Sequence, residues 1–384
     1  MSGVKSGDEI TITPTELVAG GDALAKVDGF PIFASNVFPG DVAVVRLYEV
    51  KKGFAKAEAV RILEPSPWRR AAPCPVADEC GGCDWTGLRL DKQIEAKQRI
   101  LTESLRRIGK FDVASLPPVT VHASPLNYRI RSRLHRHGDA VGFYAMRSNR
   151  VVPLPHECEV VGVETAKVFG GGQAPPPVRT GEGACPPLST WEIDGRVITD
   201  VEEITLRIND YTYQLSTRSF FQVNRHLLGS MLDLVSAHAD RAGARDVAID
   251  LYAGVGFFTL PIADRFEHVF AIEGSPESAK YARRNVPENV EVIEAAVEDQ
   301  VSRLPEADFI FLDPPRAGAR PEVVRAVGEN AREMVCYLSC DPVTFSRDAS
   351  RLTASGWRLS ALDLVDLFPN THHVETLASF ERAG

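Results

Sequence analysis

The sequence predicts an α/β protein in which two β-rich modules precede a doubly wound parallel sheet. Three observations carry this. From about residue 216, apolar runs of strand length alternate with helical segments, the rhythm of a parallel sheet with helices on both faces. Residues 6–63 are short strand-like runs with no helical spacing. Between these regions lie a cysteine cluster, one amphipathic helical stretch and further strand-like alternation. The 384 residues are enough for two or three domains with full cores. We expect boundaries at 1–63, 64–215 and 216–384.

Composition narrows the function classes. Hydrophobic content of 44% and charged content of 25% are those of an ordinary soluble globular protein. No run of about 18 apolar residues suggests a membrane span, and the opening MSGVKSGDEI lacks the apolar core of a secretory signal. Seven cysteines in such a chain favour metal or catalytic use over disulfides, and a cytoplasmic location. A monomer is expected. The net charge of −9 argues against coating nucleic acid with bulk positive charge. Residues 121–150 nevertheless carry Arg129, Arg131, Arg133, Arg136, Arg147 and Arg150, three histidines and the single acid Asp139. They form either a phosphate-holding island or a solvated strand face.

Taken in order, EITITPTEL, DALAKVDGFPIFASNV and DVAVVRLYEVKKGFAKAEAVRIL read as strands of a small, OB-like β-barrel of the kind that often binds nucleic acid. CPVADECGGC then places Cys74, Cys80 and Cys83 in a C-x5-C-x2-C spacing, and HECEVV supplies a fourth soft ligand, Cys158. Four thiolates hold zinc or an iron–sulfur cluster, and spacing alone leans slightly to zinc. Cys185 and Cys336 read as bystanders. From Leu90 to Ile108, apolar residues at 90, 94, 101, 105 and 108 predict a helix with a charged outer face, able to pack on the catalytic half. Residues 117–215 return to strand-like alternation, broken by the Gly/Pro-rich loop 169–187, which is expected to be mobile.

The predicted sheet strands are VAIDLY, HVFAIE, VEVIEA, DFIFLD, MVCYL, WRLSALDLV and ETLASFE, with the ligand site at their carboxyl ends. After the first, Gly254 and Gly256 allow a tight turn and close approach of a ligand to the following helix. The second ends in Glu273, placed to bind ribose hydroxyls, while Thr259 stands where a dinucleotide fingerprint wants glycine. That choice favours S-adenosylmethionine over NAD. FLDPPRAG puts Asp313 on a rigid lip, and its Arg316, where an aromatic would serve amino-group methylation, speaks against that reaction. Cys340 ends a strand one place further along. A thiolate that adds to carbon 6 of a pyrimidine makes carbon 5 nucleophilic, and a base must then remove the carbon-5 proton. DLFPNTHHVET offers Glu375 for that, with His372 and His373 nearby.

These residues resemble the bacterial S-adenosylmethionine-dependent RNA uracil-5-methyltransferases. DPPRAG followed by YLSCDPVT is similar to the family's first signature, Asp366 to Glu375 matches D-x-F-P-x-T-x-H-x-E, and STRSFFQVN resembles the segment entering the catalytic domain. Members most similar in layout act on 23S ribosomal RNA, with an N-terminal TRAM domain and an iron–sulfur cluster; a tRNA-modifying branch shares the catalytic half. The resemblance implies a class I methyltransferase fold behind a TRAM barrel. It implies cofactor binding by Gln222, Tyr252, Gly254, Glu273 and Asp313, Cys340 as nucleophile and Glu375 as base. It turns the cysteine set toward a [4Fe–4S] cluster, with zinc as the alternative. Arg129, Arg131, Arg133 and Arg136 become candidate RNA contacts. The implied activity is uridine C5-methylation, of 23S ribosomal RNA ahead of tRNA uridine 54; a catalytically inactive RNA-binding protein of the same fold is the other alternative. Three positions depart from the family pattern: Asp341 replaces the usual Asn, where a carboxylate opposes thiolate formation, and Phe257 and Ala296 replace cofactor-contacting asparagines of some members.

Overall fold

The computed structural model describes residues 4–138, 140–171, 187–199 and 202–383. Asp139, Cys185 and most of the loop 169–187 lie outside the described residues.

Six strands curl into the N-terminal module, in the order Glu9–Ile12, Val42–Val50, Ala55–Glu64, Phe30–Ser35, Ala23–Val27 and Glu16–Leu17. Only Phe30–Ser35 and Ala55–Glu64 pair in parallel. Alternation along Val42–Val50 buries Ala43, Val45 and Leu47, as a half-buried strand requires. The buried carboxylate of Asp41 accepts from the Phe38 and Ser66 amides and pairs with Arg69, tying the module to the chain that leaves it.

Helix Leu90–Arg107 forms where predicted but turns a different face inward. Its buried residues are Gln93, Ala96, Lys97, Ile100, Leu101, Ser104 and Leu105, whereas Leu90 and Ile108 are exposed. The helix packs on helix Pro342–Ala354 of the catalytic half, and its buried Gln93 and Lys97 side chains find partners in Asn370 and Asp366.

The central module is an antiparallel sheet in the order Val151–Pro153, Ala140–Tyr144, Arg131–His137, Leu188–Ile193 and Arg196–Thr199. Packing removes two stretches from the region 64–215 expected for it. Val119–His122 pairs in parallel with the last-but-one strand of the catalytic sheet. The hairpin Glu203–Ile208/Tyr211–Ser216 buries Ile204, Leu206, Tyr213 and Leu215 in the catalytic core.

All seven strands predicted for the catalytic half are present: β1 (Val247–Leu251), β2 (His268–Glu273), β3 (Val290–Glu294), β4 (Ala307–Leu312), β5 (Ala331–Ser339), β6 (Trp357–Val365) and β7 (Glu375–Arg382). Their order is β3-β2-β1-β4-β5-β7-β6, closed by Val119–His122. β1 to β5 run parallel, and β7 is inserted antiparallel between β5 and β6. All six residues of β4 are buried, as expected of a central strand covered on both faces. Because β7 runs backwards, its first residue meets the carboxyl ends of β1, β2, β4 and β5 on one edge. Among the described residues no helix is long and apolar enough to cross a membrane.

Candidate active site

The register of β5 with β7 sets Ser339 opposite Thr376, so Cys340, one residue past the end of β5, lies beside Glu375, the first residue of β7, at the sheet edge. Cys340 is half-buried and Glu375 is 6% exposed. Burial pushes the Glu375 carboxyl up to about 8, with Asp313 adding to the rise and Lys97 and Arg316 opposing it. Burial pushes the Cys340 thiol up to about 12, reinforced by Glu375 and Asp313 and opposed by Arg316. Asp341 also raises it, as its charge demands, but is the smallest of these influences. The Asp341 side chain caps helix Pro342–Ala354, its Oδ1 accepting from the Val343 and Thr344 amides at 3.0 Å each. That is a cap an asparagine would make equally well.

Asp313 stands at the tip of β4, where desolvation and Asp250 raise its carboxyl to about 7. Gln222 Nε2 donates to it at 3.4 Å, bringing the segment 216–224 to the same edge. Tyr252, Gly254 and Gly256 in the loop after β1 all have positive φ, at 66°, 59° and 87°. For a tyrosine this is strained backbone, held in place by its surroundings. Glu273 fixes the loop from β2: its carboxylate accepts from Gly254 N at 2.7 Å and Ser275 N at 2.6 Å. Asp250 Oδ1 is buried and unpartnered among the described residues. Phe257 is buried among Tyr213, Phe221 and Phe258, so that departure builds apolar core.

Cys74, Cys80, Cys83 and Cys158 line one small cavity with Phe143, Leu154 and Asn370. Burial pushes the Cys83 thiol up to about 12, opposed by the Arg129 guanidinium. Among the described residues no three His, Cys, Asp or Glu side chains lie close enough to hold a single metal ion. The arginine island divides. Arg129 faces the cysteines, and its Nε is buried without a partner among the described residues. Arg136 Nε is likewise buried and unpartnered. Arg131 donates to the Ser219 carbonyl and lies over the Trp191 ring, bracing the segment that carries Gln222. Arg147 and Arg150 pair with Glu58 and Glu79. Arg133 is exposed. A cleft of about 550 Å³ runs between barrel, cysteine loop and central sheet to His372 and His373.

The sequence reading missed several residues of this edge. Phe220, beside Gln222, is 69% exposed; the FF of STRSFFQVN was the available signal. Asp84 binds the His372 amide and ring, at 3.1 and 2.6 Å. Lys97, fully buried, bonds Asp366 Oδ1 at 2.6 Å. Its signal was a lysine between Ile94 and Leu101, where helical spacing asks for an apolar residue.

Comparison with known proteins follows the same lines. The family profile described as tRNA (Uracil-5-)-methyltransferase matches residues 196–303 and 303–383, and the TRAM domain profile matches residues 3–60. An uncharacterized RNA methyltransferase of Gloeobacter violaceus is 30% identical over 98% of this chain and 97% of its own length. One from Corynebacterium efficiens is also 30% identical, over 98% and 95%. The crystal structure of the Pyrococcus abyssi tRNA (uracil-54, C5)-methyltransferase in complex with S-adenosyl-L-homocysteine superposes with a TM-score of 0.72 at 24% identity, over 96% of this chain and 99% of that one. At that identity the likeness speaks for the fold.

The buried carboxyl of Glu375 has a consequence for stability. Its folded value of about 8 lies above the ordinary 4.5, so its contribution is fully present below about 4.5 and is lost as pH rises to about 8. Glu375→Gln removes that loss. The melting temperature of the variant, relative to wild type, should therefore climb across this window and level off above it. Thermal unfolding at several pH values checks this, and a pH-independent difference would show that Glu375 is ionised in the fold.

Proposed function

Because the chain belongs to the tRNA (uracil-5-)-methyltransferase family and carries a TRAM domain, we propose that it makes 5-methyluridine in 23S ribosomal RNA, with Cys340 and Glu375 as its catalytic pair. The observation that carries this reading is the β5–β7 register, which sets the two residues beside one another near Asp313. After its proton passes to solvent, the Cys340 thiolate adds to carbon 6 of the target uracil, the carbon 5–carbon 6 electron pair shifts into an enolate, and carbon 5 becomes the nucleophile. S-adenosylmethionine supplies the methyl group. The residues that would hold it fit: Gly254 and Gly256 open the loop, Glu273 and Asp313 stand at strand tips, and Asp250 leaves a buried acceptor unpartnered. The carbon-5 proton then passes to the Glu375 carboxylate, the carbon 5–carbon 6 double bond re-forms, and the Cys340 thiolate leaves. Since both ring faces are used, the uridine must be splayed from its stack. The test is nucleoside mass spectrometry of separated 23S RNA and tRNA from a deletion strain. We expect 5-methyluridine in 23S RNA to return with wild type and to stay absent with Cys340→Ala. Return in tRNA would keep the chemistry and overturn the target; no change in either pool would overturn both.

The four cysteines, which line one cavity, would hold a [4Fe–4S] cluster, with zinc as the alternative. Arg129 would offset the cluster's negative charge. Anaerobically purified protein should contain iron and acid-labile sulfide, both lost with lower thermal stability in Cys80→Ala. Zinc without iron would overturn the cluster.

RNA flanking the target would lie along the cleft that leads to His372 and His373 and across exposed Arg133. Arg133→Ala should weaken RNA affinity at all sequences and flatten the plot of log K against log salt by about one unit. An unchanged slope in filter-binding titrations removes Arg133 from the interface.

A further inference from the structure

Glu375 is held by a turn that the catalytic sheet does not build by itself. The turn runs from Asp366 to Val374 between β6 and β7, and all of it is buried except the partly exposed Phe368, His372 and His373. Its centre, Asn370, is fully buried with φ 66°, a left-handed conformation that needs outside support. That support comes from Glu159, which accepts from Asn370 Nδ2 at 3.0 Å, and above all from residues 70–97. Arg70 and Gln93 donate to Asn370 Oδ1 at 3.0 Å each, Gln93 Oε1 accepts from its amide at 2.7 Å, and the Trp85 amide donates to its carbonyl at 3.0 Å. Asp84 holds His372. Lys97 closes the set, its Nζ donating to Asp366 Oδ1 at 2.6 Å and to the Phe368 carbonyl at 3.0 Å.

Lys97 is the one lysine or arginine of the described residues that is fully buried. A buried ammonium–carboxylate pair is weak evidence for stability, since apolar residues of like volume often serve as well. Its placement points to another use. Glu375 must accept a proton while almost out of contact with water, so its anion depends on fixed charge nearby. The cations that act on it are Lys97 and Arg316. Arg316 is 60% exposed, so water screens much of its effect. His373, packed against Phe368, is held neutral by burial, its ring lowered to about 4. The screened arginine and the neutral histidine leave Lys97, shared with Asp366, as the cation shielded from water.

We propose that Lys97 is a positioning residue for the proton-abstraction step: it anchors the turn that carries Glu375 and supplies the buried positive charge that lets the Glu375 carboxylate form beside the methylated ring. This rests on the reaction proposed above. In that step the carbon 5–hydrogen bond breaks, the proton goes to Glu375, the electron pair re-forms the ring double bond, and the carbon 6–sulfur bond breaks to free Cys340. A defect confined to it leaves addition and methyl transfer intact and traps RNA on Cys340.

The test is turnover of RNA tritiated at carbon 5 of uridine, following two signals: tritium released to water, and RNA joined to protein on denaturing gels. For Lys97→Met we expect adduct to form at the wild-type rate and to accumulate, with tritium release slowed by between about tenfold and a hundredfold. Should Lys97→Met leave Asp366 unpaired and fail to fold, Lys97→Met/Asp366→Asn removes both charges and should show the same accumulation. Adduct formation and tritium release slowed in parallel would mean a general structural role and overturn the proposal, as would wild-type release from either variant. A wild-type protein that forms no adduct, even with 5-fluorouridine RNA, would instead overturn the reaction on which the proposal rests.

Discussion

The pairing of β7 between β5 and β6 is the constraint on which the rest depends. Had β7 run parallel, its carboxyl end would lie at this edge and its first residue at the far side of the sheet. Running antiparallel, it delivers Glu375 to the edge where β1, β2, β4 and β5 end. The side-chain period of two then fixes which face each group uses, so a one-residue slip would send Glu375 to the opposite face. Buried apolar residues on both sides of β7, including Leu377, Ala378 and Phe380, oppose such a slip. Packing in the core therefore sets the geometry of the site.

That geometry gathers acids in a region of low polarity. Asp250, Asp313 and Glu375 are all raised toward or above neutrality by burial, and neighbouring acids raise each further. Such an edge is poorly satisfied when empty and favours a ligand that brings positive charge. S-adenosylmethionine, proposed as its occupant, is a sulfonium, and transfer of its methyl group discharges that cation. An arrangement that stabilises the charged donor more than the neutral product would bind the first and release the second. Burial first, and then the neighbouring Glu375 and Asp313, also hold the Cys340 proton, since a nearby carboxylate makes the thiolate harder to form.

Much of this was legible in the sequence because the signals are local. Each β-strand of the catalytic half is an apolar run ended by a polar residue at its tip, and Asp313, Cys340 and Glu375 could be placed on one edge by counting strands. What could not be read depends on partners distant in sequence. Val119–His122 is too short and too mixed to declare itself an outer strand of a sheet formed mostly by residues after 246. The inward face of helix Leu90–Arg107 was misjudged for the same reason: Gln93 and Lys97 look solvent-directed until Asn370 and Asp366 are known to meet them. The arginine island shows the converse. Residues that are neighbours in sequence point to three environments, the cysteines, the Gln222 segment and the solvent.

These distant partners bear on whether the catalytic half can work alone. Its sheet and helices share a hydrophobic core with helix Leu90–Arg107 and the N-terminal barrel. The turn before Glu375 takes its hydrogen bonds from Arg70, Asp84, Trp85, Gln93 and Lys97. Removing that segment would leave the left-handed Asn370 with Glu159 as its remaining side-chain partner and the buried Asp366 carboxylate without Lys97, and an orphaned buried polar group costs roughly 1–3 kcal/mol. The turn would relax and take Glu375 with it. Asn370 also borders the cysteine cavity, and Glu159, next to Cys158, binds both Arg70 and Asn370. One connected set of polar contacts thus runs from Glu159, beside Cys158, to the turn that carries Glu375. The segment that positions Cys158 and the turn that carries Glu375 therefore brace one another.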